Sequence, residues 1–137
     1  MSFFKKNHRV LLCCFTRDTA DSWKEQFAQA GIAISDYSQR TVIRSLSSQS
    51  ILVLKDFPFT WYTQNDNRVL FEKWIVQAKH VFLLSGDEQW NDTLKMKNFT
   101  ILPAAVHPLE VARYLVEKHM IVPVKNTSTH AFTFFQF

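Results

Sequence analysis

Three polar residues flank apolar segments at positions where parallel α/β proteins place reactive groups. Asp56 follows the run ILVLK, Ser85 follows HVFLL, and His107 directly precedes the last helical segment. Serine, histidine and aspartate are the residue types of nucleophilic catalysis, in which a histidine takes the proton of an attacking hydroxyl. The GxSxG turn that exposes such a serine is missing. Asp56 and Ser85 are therefore interpreted as ordinary turn residues at the ends of strands. His107 is interpreted as the cap of the helix that follows it.

The rarer residue types exclude several other chemistries. The two glycines, Gly31 and Gly86, cannot build a dinucleotide-binding GxGxxG loop or a P-loop. The five histidines are far apart and never at metal-ligand spacing, so no metal and no cofactor is expected. Cys13 and Cys14 are adjacent in an apolar run, where successive strand side chains point to opposite faces. We expect packed, free thiols and a reducing, cytoplasmic compartment.

The charge balance is basic without being concentrated. Sixteen Lys and Arg against twelve Asp and Glu give a net charge of +4 and a pI near 9.2. The one local cluster is FFKKNHR, and scattered basic residues elsewhere favour an ordinary solvated surface. A nucleic-acid-associated factor is the alternative that this cluster leaves open. The run RVLLCCF is too short to span a bilayer and lacks a preceding secretory h-region, so we expect neither membrane insertion nor secretion.

Hydrophobic periodicity divides the chain into five strand-helix units. Short apolar runs predict strands at residues 10–15, 32–34, 51–54, 80–85 and 99–102. Helical spacing of apolar residues predicts helices within residues 20–30, 36–50, 67–79, 87–98 and 108–120. Gly31 stands where the first of these helices would end in a left-handed residue. This alternation predicts an α/β domain over residues 1–122, with an open five-stranded parallel sheet in the flavodoxin-like order 2-1-3-4-5 and helices on both faces.

Two aromatic segments are candidates for binding another protein. The loop DFPFTWY follows the third strand, and either a lid over the core or an exposed anchor surface explains its aromatic residues. The tail at residues 123–137 ends in HAFTFFQF; packing on its own domain is the favoured interpretation, with partner binding as the alternative. The aromatic residues of the two segments are Phe57, Phe59, Trp61, Tyr62, Phe132, Phe134, Phe135 and Phe137.

The first and last units resemble the receiver domain of response regulators, a CheY-like fold. The segments that carry the resemblance are VLLCCFTRDTADSWKEQFAQAGIAI and ILPAAVHPLEVARYL, and it covers about residues 9–120. It implies that Asp56 lies near the phosphoacceptor aspartate and Ser85 near the hydroxyl that senses phosphorylation. Cys14 and Phe15 stand where receivers carry the acidic pair that binds Mg²⁺, and Ala104 stands where they carry a lysine.

The resemblance therefore implies a pseudo-receiver, a non-catalytic regulatory or scaffolding domain that binds another protein. The expected contact surface is the final unit, around Tyr114, Leu115 and Lys118, and receiver-type domains also pair there as homodimers. One alternative is a functional single-domain regulator that is phosphorylated on Asp56. The other is the nucleic-acid-associated factor.

Overall fold

The computed structural model describes residues 9–16, 20–92, 95–118 and 120. A helical segment follows each strand, as the periodicity predicts, and two consecutive helices connect the third strand to the fourth. The strands are β1 Arg9–Cys14, β2 Ile34–Asp36, β3 Ser50–Lys55, β4 His80–Leu84 and β5 Phe99–Leu102. The helices are α1 Ala20–Gln29, α2 Val42–Ser45, α3 Phe59–Tyr62, α4 Asn65–Gln77 and α5 Pro108–Glu117, and a 3₁₀ helix spans Glu88–Asp92.

The five strands form one parallel sheet in the order β2-β1-β3-β4-β5. Leu12 of β1 pairs with Val53 of β3, which in turn pairs with Phe82 of β4. The predicted fold class and strand order are confirmed. Because all five strands are parallel, their carboxyl ends lie at one edge of the sheet. The strand order reverses between β1 and β3, and open α/β sheets bind ligands at the carboxyl edge near such a reversal.

One face of the sheet is covered by α1 and α5. We call its core the α1-side core. Alternate strand residues such as Val10, Leu12 and Val53 point into it and contact Phe27 of α1 and Leu115 of α5. This alternation is the period-two pattern of strands that are buried on both faces.

The other face is covered by α2, α3, α4 and the 3₁₀ helix, and we call its core the α4-side core. Leu11, Leu52 and Leu83 point into it from the strands. Its outer half consists mainly of aromatic side chains in mutual ring contact: Phe57, Trp61, Tyr62, Phe71, Trp74, Trp90 and Phe99. Offset and edge-to-face ring pairs add stability beyond the apolar area that they bury.

Two helix ends behave as the sequence predicts. Gly31 has φ 77°, and the Gly31 and Ile32 amides donate to the carbonyls of Ala28 and Phe27, which is the Schellman motif. His107 caps α5: its Nδ1 accepts from the Leu109 amide, while Glu110 accepts from the His107 amide. The Gly31 and His107 predictions are confirmed.

Three element boundaries differ from the predictions. The loop after β3 contains a helix, α3, and the helix predicted within residues 87–98 is reduced to the 3₁₀ helix Glu88–Asp92. β2 begins at Ile34 rather than at Ile32, because the Ile32 amide is used to close the end of α1.

Several predictions fall outside the described residues. These are the C-terminal tail with Phe132, Phe134, Phe135 and Phe137, and all of the basic FFKKNHR cluster except Arg9. Within the described part of the chain, no helix has the length and hydropathy needed to cross a bilayer.

Candidate functional site at the carboxyl edge of the sheet

The carboxyl edge of the sheet holds the residues that the sequence compared with a receiver site: Cys14, Phe15, Asp56, Ser85 and Ala104. Beyond the strand ends the backbone ladder continues: the amides of Phe15, Asp56 and Ser85 donate to the carbonyls of Lys55, Leu84 and Leu102, over 2.9, 3.1 and 3.0 Å. Asp56 and Ser85 therefore lie on adjacent chain segments. The backbone, rather than any side-chain contact between these residues, sets their proximity.

Asp56 has an unusual backbone and an unexpected partner. Its φ is 65°, a left-handed conformation that aspartate tolerates better than most residues. Lys55 donates from Nζ to both carboxylate oxygens, at 3.2 Å to Oδ1 and 3.1 Å to Oδ2. The Lys55 side chain is 13% exposed and that of Asp56 is 35% exposed. Sequence neighbours in a strand point to opposite faces, so the left-handed turn at Asp56 is what allows their charges to meet.

Ser85 and Asp87 organise the loop after β4. The Asp87 amide donates to Ser85 Oγ over 3.0 Å. The Asp87 carboxylate accepts from the Gln89 amide at Oδ1 and from the Phe59 amide at Oδ2, each over 3.1 Å. One carboxylate thus joins the 3₁₀ helix to the start of α3. Asp87 was not predicted to be a site residue. Its position could have indicated this role, because an aspartate shortly before a helical segment often caps the helix.

The ends of β1 and β5 present apolar or sulfur-bearing side chains. Phe15 is 39% exposed, and its ring meets Phe57 edge to face at a centroid distance of 5.3 Å. Cys14 packs against the α1-side core. Ala104 lies beside the loop after β4, since a Cβ built at Gly86 would lie 4.0 Å from the Ala104 Cβ. Phenyl and methyl groups offer no oxygen ligand to a hard cation such as Mg²⁺.

The carboxylates nearest to this edge already have partners. Asp36, at the end of β2, forms an ion pair with Lys24 at 2.6 Å, while Asp56 pairs with Lys55 and Asp87 accepts two backbone amides. Among the residues that the structure describes, no group of three or more His, Cys, Asp or Glu side chains is placed to hold a metal ion.

The two cysteines point to opposite faces, as predicted. Cys13 belongs to the α4-side core and is fully buried, whereas Cys14 is half-buried against the α1-side core. Both are free thiols. Burial raises the pKa of Cys13 to about 12, with a smaller contribution from Cys14. The nucleophilic form of cysteine is the thiolate. Because its raised pKa keeps Cys13 in the thiol form near neutral pH, Cys13 is an inert core residue.

The partner-binding interpretation of the DFPFTWY segment needs correction. Phe57 is completely buried, and Trp61 and Tyr62 are each 7% exposed. The Trp61 indole donates to Gln39 Oε1, and Phe59 packs against Trp90. These rings form the outer half of the α4-side core and are not an exposed anchor surface, because α3 turns them inward.

The predicted contact surface on α5 is only partly exposed. Leu115 is completely buried in the α1-side core, which corrects its assignment as a contact residue. Tyr114 is 38% exposed; one edge packs on Phe82, and the Lys118 ammonium lies 5.7 Å from its ring centroid. Tyr114 and Lys118 remain available to solvent.

A small pocket lies at the ends of β1 and β2. It has a volume of about 140 Å³ and is lined by Cys14, Ala20, Asp36, Tyr37 and Ser38. Pockets for cofactors and drug-sized ligands occupy roughly 300–1,000 Å³. This pocket is therefore too small for a nucleotide.

Comparison of the sequence with models of protein families and with curated proteins finds no match.

Proposed function

We propose that this chain is a pseudo-receiver: a non-catalytic regulatory or scaffolding domain that binds another protein and is not switched by Mg²⁺-dependent phosphorylation of an aspartate. The observation that carries the proposal is the composition of the carboxyl edge. The carboxylate of Asp56, which directly follows β3, is paired with Lys55, and Cys14 and Phe15 occupy the end of the neighbouring strand β1.

The chemistry of phosphoryl transfer supports this proposal. The transferred group carries charge that a metal ion and positioned cations must stabilise. A half-buried thiol and a phenyl ring stand beside Asp56 where an acidic pair would recruit Mg²⁺. Ser85 Oγ accepts a hydrogen bond from the Asp87 amide, and a bond between residues this close in sequence is typical of a turn. These residues stabilise the loops at the edge rather than a reacting group.

One observation favours a second candidate, a functional regulator phosphorylated on Asp56. The Lys55 ammonium lies 3.1 Å from the carboxylate, so a cation is present to neutralise a phosphoryl group. Receivers carry their lysine on the fifth strand, where this chain has Ala104. Under this candidate Lys55 would transfer its contact from the carboxylate to the phosphoryl oxygens.

The partner surface of the proposed pseudo-receiver is the exposed part of the last unit. Tyr114 and Lys118 form a cation-aromatic pair on α5, a combination that serves well at interfaces because the ring is rigid and amphipathic. The strand β5, which precedes α5 in the chain, lies at one end of the sheet, so its outer edge has no strand neighbour within the described sheet. A protein partner that contacts both features, or a second copy, fits this face.

Amide NMR spectra test the proposal. Mg²⁺ and then beryllofluoride, which mimics an acyl phosphate on aspartate, are added to the wild type and to Asp56→Asn. We expect the resonances of Asp56, Ser85 and their neighbours to stay unchanged in both proteins. Saturable shifts in the wild type that vanish in Asp56→Asn would overturn the proposal in favour of the phosphorylated regulator.

A further inference from the structure

The outer edge of β5 leaves apolar side chains partly uncovered. All side chains of the neighbouring strand β4 are buried, whereas those of β5 are half-buried apart from Phe99. Ile101 packs against the α4-side core and Leu102 against the α1-side core, and each keeps part of its surface in water. A further strand beside β5 would extend both layers over these side chains.

The backbone of β5 also has hydrogen-bonding groups for a further strand. The Ser85 amide, just beyond β4, donates to the Leu102 carbonyl. Residues of a parallel strand that face one neighbour alternate with residues that face the other side. The N–H and C=O of Ile101 and the C=O of Phe99 therefore point away from β4, to a side where the described sheet has no strand.

The two edges of the sheet differ in their protection against a further strand. β2, at the opposite edge, is three residues long and ends at Asp36, which forms an ion pair with Lys24. Charged side chains on an edge strand oppose further pairing. β5, with the sequence FTIL, contains no charged residue. Pro103 follows it and lacks an N–H, which limits the length of a pairing at this edge but leaves the edge open.

The tail at residues 123–137, outside the described residues, has a pattern that suits this edge. In its segment AFTFFQF, which we call the aromatic segment, the phenyl rings divide between the two faces of an extended chain: Phe132 and Phe134 on one, Phe135 and Phe137 on the other. Apolar side chains on both faces are typical of a strand that is covered on both sides. The edge of β5 offers such a place, because a core lies on either side of it.

From this match we propose that the aromatic segment binds the outer edge of β5 as a sixth, antiparallel strand. One pair of phenyl rings covers the Leu102 side of the sheet and the other pair covers the Ile101 side. One residue of the segment exchanges two backbone hydrogen bonds with Ile101, as directly opposed residues of an antiparallel pair do.

The connection is long enough for this strand, and crossover handedness selects its direction. The Met120 amide donates to the Leu115 carbonyl near the end of α5. Residues 121–130 span about 30 Å when extended, whereas α5 with its 10 residues is about 15 Å long. A parallel strand would require a left-handed crossover, because α5 lies on the face opposite to the helices that connect β3 to β4. Such crossovers are almost always right-handed.

The tether favours the aromatic segment over a separate partner as the occupant of this edge. A connection of this length gives an effective concentration on the order of 1 mM, so that even weak strand pairing is populated within one chain. In the proposed pseudo-receiver, a protein that uses the edge of β5 must first displace the segment. This consequence rests on the proposed function, whereas the sixth strand itself does not.

Amide hydrogen exchange of the full chain, followed by NMR, tests the sixth strand. We expect the Ile101 amide to exchange at least tenfold more slowly than an unprotected amide, because it is hydrogen-bonded to the segment. Phe134→Ser combined with Phe135→Ser removes one ring from each face and should accelerate this exchange at least tenfold. Val124→Ser, an apolar-to-serine change in the connection, is the control and should leave the rate unchanged.

Several results would overturn the sixth strand. These are an Ile101 amide that exchanges freely in the wild type, protection that survives the double substitution, and protection that is lost in Val124→Ser. Protection that increases with protein concentration would also overturn it, because pairing within one chain does not depend on concentration. The amides of Leu52 and Leu83 in the central strands should stay protected in every variant, which establishes that the variants are folded.

Nuclear Overhauser contacts in the wild type test the direction of the strand without any substitution. An antiparallel strand places the Phe132 ring near Leu102 and the Phe137 ring near Phe99, whereas a parallel strand reverses the two contacts. We expect the antiparallel set. The reversed set, or no contact between these rings and β5, would overturn the proposal.

Discussion

The ammonium of Lys55 and the carboxylate of Asp56 meet at 3.1 Å although the two residues are adjacent at the end of one strand. Their contact depends on the left-handed backbone of Asp56, with φ 65°. The ion pair lies at the carboxyl edge of the sheet beside Phe15, and it gives each of the two charges a partner. A lysine that is only 13% exposed would otherwise lose hydration without compensation.

Substitutions at Asp56 should separate its backbone role from its charge. Asp56→Gly and Asp56→Asn keep a residue that tolerates the left-handed region, whereas Asp56→Ala does not. We expect Asp56→Ala to be about 1 kcal/mol less stable than either of the other two. Urea denaturation at neutral pH measures the difference, and equal stability of the alanine and glycine variants would contradict the assigned strain.

Two buried tryptophans provide a matched pair in the α4-side core. Both are completely buried, but Trp90 Nε1 donates to the Phe57 carbonyl over 3.0 Å, whereas Trp74 Nε1 has no hydrogen-bond partner among the described residues. Replacement by phenylalanine removes a similar volume at each site. We expect Trp90→Phe to be about 1–3 kcal/mol more destabilising than Trp74→Phe, because it orphans a buried carbonyl. Guanidinium unfolding curves of the two variants provide the comparison.

Acid should destabilise the fold through His80. This side chain is 8% exposed, contacts Phe82, and has Nε2 at 2.8 Å from Thr100 Oγ1. Burial lowers its pKa below the ordinary 6.5. The unfolded chain therefore binds this proton more readily, so the free energy of unfolding falls as the pH drops below about 6.5.

His80→Gln is the control for this acid sensitivity. The variant lacks the titrating ring, so its stability should change less than that of the wild type across the same pH range. An NMR titration of the His80 ring in the folded protein gives the pKa directly. A folded-state pKa at or above 6.5 would refute the prediction.

The Asp87 carboxylate should stabilise the loop more than its neighbour Ser85. Asp87→Ala removes acceptors for the Phe59 and Gln89 amides, and we expect a loss of about 2 kcal/mol. Asp87→Asn keeps one acceptor oxygen and should fall between the alanine variant and the wild type. Ser85→Ala removes the single bond to the Asp87 amide and should cost about 1 kcal/mol. Thermal unfolding of the three variants tests this order.

Periodicity was sufficient to predict the sheet because its strands are buried on both faces. Runs such as ILVL contain no polar residue, so they are assigned as buried strands from the sequence alone. The helix ends at Gly31 and His107 were predictable for a similar reason: a left-handed residue and a side-chain cap each have a local chemical signature.

The candidate site was less predictable because its contacts depend on turns. Nothing in the sequence indicates that Asp56 adopts φ 65° and so meets Lys55. The helix α3 has only four residues, too few for a periodic signal. When that helix is not predicted, the sequence is equally consistent with Trp61 and Tyr62 as exposed anchors and with both as core residues.

Tryptophan is distributed unequally between the two cores, so most of the tryptophans that can fluoresce lie on one face of the sheet. Trp23 is the tryptophan of the α1-side core, and the other three lie in the α4-side core. Fluorescence of a Trp23→Phe variant therefore reports on one layer alone. A variant that keeps Trp23 and replaces the others reports on the opposite layer. Together, the two spectra reveal whether the layers on either side of the sheet melt as one cooperative unit or in sequence.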